Sequence, residues 1–146
     1  MNILIQRVKH ASVQVDNQNI AKIQQGLLVF VGLEKDDTAA LLKKVTNKLL
    51  NYRIFSDDND KMNLNVQQIQ GELLVVSQFT LAAQTSKGLR PGFSSALHPE
   101  QSEPLFKQLV ETIKATYPKV QTGQFGADMQ IELLNDGPVT FMLNFK

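Results

Sequence analysis

The chain has no cysteine among its 146 residues. Disulfides, thiolate metal sites and a cysteine nucleophile are excluded, and the composition suits a reducing compartment. Histidine is nearly absent too. His10 and His98 are far apart, with no acidic residue near either at metal-ligand spacing, so both read as surface or structural side chains and no metal is expected. Long apolar runs are missing: the longest, Leu27 to Leu33, is far short of the roughly 20 residues of a spanning helix. Arg7 and Lys9 lie in a strand-like N-terminal segment with no apolar stretch and cleavage site behind it. No secretory signal and no membrane contact are expected, and the cytoplasm is the default. Charge of one sign is lacking as well. Lys plus Arg is 15 against 14 for Asp plus Glu, so any contact with nucleic acid must come from a local patch. No zinc motif, nucleotide-binding glycine pattern or G-x-S-x-G elbow occurs. Asp57 to Lys61 superficially resembles a calcium loop, but Lys61 and Met62 stand where that loop needs an oxygen ligand and a glycine. It reads as a solvated turn.

What is present is strand-rich. Asn2 to Val15 alternates with a period of two, Asp16 to Asn19 is a turn cluster, and Ile20 to Ile23 returns as a hairpin. Leu27 to Leu33 and Glu72 to Leu81 read as strands buried on both faces. Leu41, Leu42, Val45, Leu49 and Leu50 predict a helix over 36–52, capped by Asp36 or Asp37. A second helix is predicted from Pro104 to Tyr117 and ended by Pro118. Further strands are predicted at 119–123, 127–134 and 139–145. Residues 82–99 form a long connection of the kind that often carries function. The length suits one domain, residues 1–146. The fold expected is mixed α/β: a strand-dominated, barrel-like or two-sheet body covered by two helices.

Two short segments stand where apolar runs meet turns. Ser77-Gln78-Phe79-Thr80-Leu81 is either a strand end tied off by hydroxyls or a set of donors presented to an ester carbonyl, where an oxyanion would develop. A nucleophilic Thr80 would need a base, and the sequence places none beside it. Asn135-Asp136-Gly137-Pro138-Val139-Thr140 is rich in turn formers and reads on its own as a turn between two strands. Phe125 and Met129 read on their own as core packing. Lys87 and Arg90, on the long connection, read as solvated or as phosphate contacts.

Both segments closely resemble the signature of the D-aminoacyl-tRNA deacylases. Gln6-Arg7-Val8, Arg53-Ile54-Phe55, Lys61-Met62-Asn63, Arg90-Pro91 and Phe125 to Met129 also look like family positions, so the resemblance covers essentially the whole chain. It implies a homodimeric, metal-free esterase with no cofactor. Such an enzyme hydrolyses the ester between a D-amino acid and the terminal adenosine of tRNA and admits glycine as well. Ser77, Gln78, Phe79 and Thr80 then line the deacylation site, with donors at Gln78 and the backbone around Phe79. Phe125 and Met129 would hold the adenine. The family carries a Gly-cis-Pro dipeptide at Gly137-Pro138 that enters the partner's site and excludes L-amino acids, with Arg7 bracing it. The ribose 2′-hydroxyl would assist water. Two other readings are a small-molecule D-amino-acid esterase or amidase and a non-catalytic RNA-binding dimer module.

Overall fold

One strand organises the molecule. In the computed structural model, which describes residues 1–146, β1 (Asn2–Val15) pairs along both edges. On one edge its second half meets β2 (Gln18–Ile23) and its first half meets β3 (Gly26–Gly32), both antiparallel. Asp16 and Asn17 close the first hairpin with φ of 49° and 61°, the left-handed pair that suits a tight hairpin turn.

The long C-terminal strand runs antiparallel along the other edge of β1. Between β3 and that strand, β8 (Gln130–Asn144), come the short strands β4 (Phe55–Ser56) and β5 (Met62–Leu64), then β6 (Glu72–Ser77) and β7 (Val120–Thr122). Beyond β3 the sheet continues in parallel through β6 and β7. The Lys22 backbone N–H donates to the Gln121 side chain at 2.9 Å, which brings β7 back toward β2 and curls the sheet toward a barrel.

Two helices serve as the crossovers of the parallel part. They are α1 (Leu42–Asn51), between β3 and β6, and α2 (Pro99–Thr116), between β6 and β7. Leu27, Val29, Val31, Leu73 and Val75 face the helices, where they join Val45, Leu49, Phe106, Leu109 and Ile113 in a 23-residue core. Leu28, Leu74 and Val76 face the inside of the curl with Val8, Ala11, Val13, Ala21 and Ile23. β3 and β6 are therefore buried on both faces, as their unbroken apolar runs imply. β1 serves both cores: Ile3 and Ile5 face the helices, and Val8, Ala11 and Val13 face the interior. The register shift opposite β8 between Val8 and His10 puts two β1 residues against one partner residue, and this bulge changes the face.

At Gly26 a β-carbon would lie 1.9 Å from the Glu72 carbonyl oxygen, so the parallel pair closes only over a glycine.

Several predicted boundaries are corrected. The first helix starts later than residue 36. A 3-10 turn at Ala39–Leu41 precedes it, and neither Asp36 nor Asp37 caps it. Asp37 instead accepts from the Met1 ammonium at 2.6 Å and from the Glu34 N–H at 2.7 Å. The second helix begins at Pro99, one turn and more before Pro104. Pro99 fills the first-turn position that sequence assigns to Pro104, and Pro104 sits inside the helix. β6 ends at Ser77, because Phe79–Ala82 turns into a 3-10 helix. Residues 130–144 form a single strand, interrupted by a bulge and not by a turn between separate strands. His98 does have an acidic neighbour, Glu100 at 4.0 Å, with both side chains exposed.

Asp57 to Lys61 closes the small β4–β5 hairpin. The Lys61 and Asn59 N–H groups donate to the Asp57 carboxylate and hold its pKa below the usual 3.8. No helix is long and apolar enough to cross a membrane.

Candidate active site

The first candidate segment lies where the central strand β6 stops. Ser77 pairs with Val31, and the Gln78 N–H makes the last ladder bond, to the Val31 carbonyl at 2.8 Å. The chain then turns into the 3-10 helix Phe79–Ala82, closed by Leu81 N–H to the Gln78 carbonyl and Ala83 N–H to the Thr80 carbonyl. The first N–H groups of a helical turn have no acceptor within it, so those of Phe79 and Thr80 are unspent. The Asn2 side chain donates to the Leu81 carbonyl at 3.1 Å and ties the turn to β1. The Gln78 amide donates to Thr80 Oγ1 at 2.7 Å. Within the chain the only side chain bonded to the Thr80 hydroxyl is Gln78.

Ser77, Gln78 and Phe79 open on a cleft of about 80 Å³ that is also lined by Leu97, Ser102, Phe106, Phe125 and Gly126; Thr80 lies outside this lining. Phe79 is 59% exposed at its rim. The Phe125 and Phe106 rings pack at 6.0 Å with a 45° tilt, and both line the cleft. Met129 does not line it. Its sulfur lies against Gly123 on the interior side, where the residue packs on the second core. The two largest hollows, about 590 and 700 Å³, lie beside Met1 and between the helices and contain neither candidate segment; a hollow of about 280 Å³ is lined by Arg7, Lys9 and Asp136, at the edge of the second segment.

The second segment is a protrusion on the edge strand. Gln6 pairs with Thr140 and Val8 with Asn135, so Asp136 to Val139 are spooled out opposite Arg7 alone. The Asn135 side chain clamps the spool: its oxygen accepts from the Val139 N–H at 2.7 Å and its amide donates to Thr140 Oγ1 at 2.9 Å. Arg7, whose side chain is only 11% exposed, donates from Nε to the Asp136 carbonyl at 2.9 Å and from Nη1 to the Ile54 carbonyl at 2.8 Å. The Gly137-Pro138 bond is cis, Gly137 has φ of 142°, and both residues are exposed.

The two segments do not meet within one chain. Ser77 is level with Ile3 and Leu143 through β3 and β1, whereas Gly137 lies four residues further along β1 and three strands away. At about 4.8 Å between strands and 3.3 Å per residue, the separation is roughly 20 Å.

A family model described as D-Tyr-tRNA(Tyr) deacylase matches residues 4–144. The chain belongs to that family. It is 57% identical to the D-aminoacyl-tRNA deacylase of Saccharophagus degradans, over 98% of this chain and 99% of that one. Against the protein of the same name from Shewanella frigidimarina the identity is 59%, with the same coverage. The solved structure of a c-Myc DNA unwinding element binding protein superposes with a TM-score of 0.94 at 39% identity, covering 100% of this chain and 99% of that one. A probable eukaryotic D-amino acid tRNA deacylase shares the fold, with a TM-score of 0.87 at 15% identity over 97% of both chains. As a member of this family the chain is an enzyme, a hydrolase of ester bonds.

Sequence reasoning missed several parts of the site. Leu97 and Ser102 line the cleft, Asn2 anchors the turn, and the Phe93 ring packs on Phe79 at 5.0 Å. Leu97, Ser102 and Asn2 reach the site from other stretches of chain, and nothing in their local pattern marks them. Only Phe93, an aromatic in an otherwise polar connection, carried a signal.

Proposed function

We propose that this chain removes D-amino acids from tRNA by hydrolysing the ester to the terminal adenosine. The observation that carries the reading is the pair of unspent N–H groups of Phe79 and Thr80, at the turn whose Phe79 lines the cleft together with Phe125. The aromatic wall suits an adenine, and the N–H pair suits the oxygen of the ester carbonyl beside it. Water adds to the carbonyl, and the N–H groups hold the resulting oxyanion. The intermediate then expels the ribose 3′-oxygen, which takes up a proton while the amino acid leaves as its carboxylic acid. The neighbouring 2′-hydroxyl helps to position the water and relay the proton. Thr80 has no base and forms no ester. Gln78, now bonded to Thr80, is close enough to reach the carbonyl by rotating its side chain.

The chirality filter in this reading is Gly137-Pro138 of a second copy. Their exposure on an edge strand, roughly 20 Å from their own chain's cleft by strand spacing, supports insertion into a partner. A two-fold dimer would make both sites composite in this way. Phe30, Leu4 and Met142 lie side by side across β3, β1 and β8, and Met142 is 49% exposed, which supports an apolar contact there. Backbone walls discriminate by shape, so the filter rejects L-side chains of any kind and lets glycine pass; glycyl-tRNA is a second substrate. This reading places the enzyme with aminoacyl-tRNA in the cytoplasm. The test is hydrolysis of matched D- and L-Tyr-tRNA. Turnover of the D-form alone supports the proposal, and equal rates on both would sink it.

A further inference from the structure

The near-neutral charge of the chain hides a local separation. No Asp or Glu stands between Glu72 and Glu100, although the chain has 14 of them. That stretch contains the whole Ser77 to Thr80 segment and the connection that follows, with Lys87 and Arg90. None of the ion pairs in the molecule involves Lys87 or Arg90.

The connection is a built projection. Gln84 and Gly92 exchange both backbone hydrogen bonds, at 2.7 and 3.0 Å, and make a small hairpin. Its base is fixed to the site. The Phe93 ring lies 5.0 Å from that of Phe79, Ser95 Oγ donates to the Ala82 carbonyl at 2.5 Å, and Leu97 N–H donates to the Leu33 carbonyl at 3.0 Å. The tip stands clear: residues 85–91 are all exposed, Leu89 fully so, and a β-carbon on Gly88 would meet nothing within 4 Å. A cationic tip with a free leucine is thus held at a fixed distance from the cleft mouth. At about 3.3 Å per residue, the three steps from Gln84 to Lys87 place Lys87 up to roughly 10 Å out. At about 3.4 Å per stacked nucleotide, that reaches the first three or so phosphates inward of a nucleoside seated in the cleft.

We infer that the Gln84–Gly92 hairpin is the contact for the phosphates of the substrate's 3′ strand, with Lys87 and Arg90 as phosphate ligands and Leu89 against a ribose or base. This rests on the proposed reading of the cleft as the seat of the terminal adenosine. Such contacts position the strand and carry no sequence information, so the hairpin serves all tRNAs alike.

The test uses a Lys87→Ala/Arg90→Ala double variant of the full chain and two substrates. One is D-Tyr-tRNA; the other is 3′-O-D-tyrosyl-adenosine, which has no phosphate. The KM for D-Tyr-tRNA should rise about tenfold, with kcat nearly unchanged. The slope of log KM against log salt should flatten by about 1.4, or 0.7 for each lost single-strand contact. Kinetics on the adenosine ester should not change. A Lys87→Arg/Arg90→Lys exchange should keep the wild-type slope. Equal losses on both substrates, or an unchanged slope, would overturn the inference, as would dissociation of the double variant into monomers on sedimentation, which would mark the hairpin as a contact between copies. Titration of uncharged tRNA reads the same slope without turnover. If the wild type hydrolyses neither ester, the deacylase reading falls, and the titration still decides the hairpin.

Discussion

Arg7 Nε donates to the carbonyl oxygen of Asp136 at 2.9 Å, the last backbone group before Gly137. The same guanidinium donates to the Ile54 carbonyl at 2.8 Å, so one side chain ties the protruding bulge to the segment that follows α1. Rigidity at this point is what an excluding filter needs, since a wall that yields rejects nothing.

Arg7→Ala should leave the protein folded but loosen the bulge. Each hydrogen bond to a charged group contributes about 1.5–3 kcal/mol. Arg7→Lys should not rescue it, because a single ammonium lacks the fork that spans two carbonyls. D- and L-Tyr-tRNA hydrolysis are the readouts: D-activity should fall and the D/L ratio should narrow in both variants. A fully active Arg7→Lys enzyme would contradict this.

Gly137→Ala meets two obstacles. The φ of 142° is one that side-chain-bearing residues rarely adopt, and a new β-carbon would lie 2.6 Å from Val139 Cγ2 and 3.2 Å from Arg7 Nη2. Strain of this kind costs about 1–3 kcal/mol. The bulge lies on an edge strand, so thermal denaturation should show a small drop in Tm beside a large loss of D-Tyr-tRNA turnover. Full activity would show that the bulge is not at the site.

Mixing Gly137→Ala with Gln78→Ala tests the shared site. In the proposed dimer, a heterodimer would carry both lesions in one composite site and leave the other intact. Activity should return when the two variants exchange subunits. Confirmed exchange without recovery would show that each chain works alone.

Thr80→Ala should retain most activity, because only the Gln78 amide contacts the hydroxyl and no base does. Gln78→Ala should slow turnover more, up to about a hundredfold if the amide swings to the oxyanion. A 2′-deoxyadenosine terminus should be worse than Thr80→Ala. Capture of an acyl ester on Thr80 by mass spectrometry would refute the water mechanism.

Asp57 offers a test of the β4–β5 hairpin. Lys61 and Asn59 N–H bonds depress its pKa below 3.8, so its contribution to stability is complete above that value and is lost as pH falls through the lower folded value. Urea denaturation of Asp57→Ala should show a deficit at pH 7 that shrinks below pH 3.8. A deficit independent of pH would assign the effect to packing.

Sequence by itself determined the elements whose burial is written in their own pattern. The unbroken apolar runs of β3 and β6 require cover on both faces, and the stripe from Leu41 to Leu50 requires a helix; the structure provides both. The turn formers from Asn135 to Pro138 marked a break in the pattern, but read alone they gave a turn between two strands where the structure has a bulge within one. Tertiary structure alone decided how those pieces meet. The face change of β1 comes from a register shift against β8, which no single strand encodes. Asp37 is taken from its helix by the Met1 ammonium, a partner 36 residues away in sequence. The cleft draws Val31, Phe79, Leu97, Phe106 and Phe125 from five separate elements or loops. The distance that keeps Gly137 away from Ser77 is counted in strands, not in residues. Local pattern records what each segment must bury; only the assembled sheet fixes which segments become neighbours.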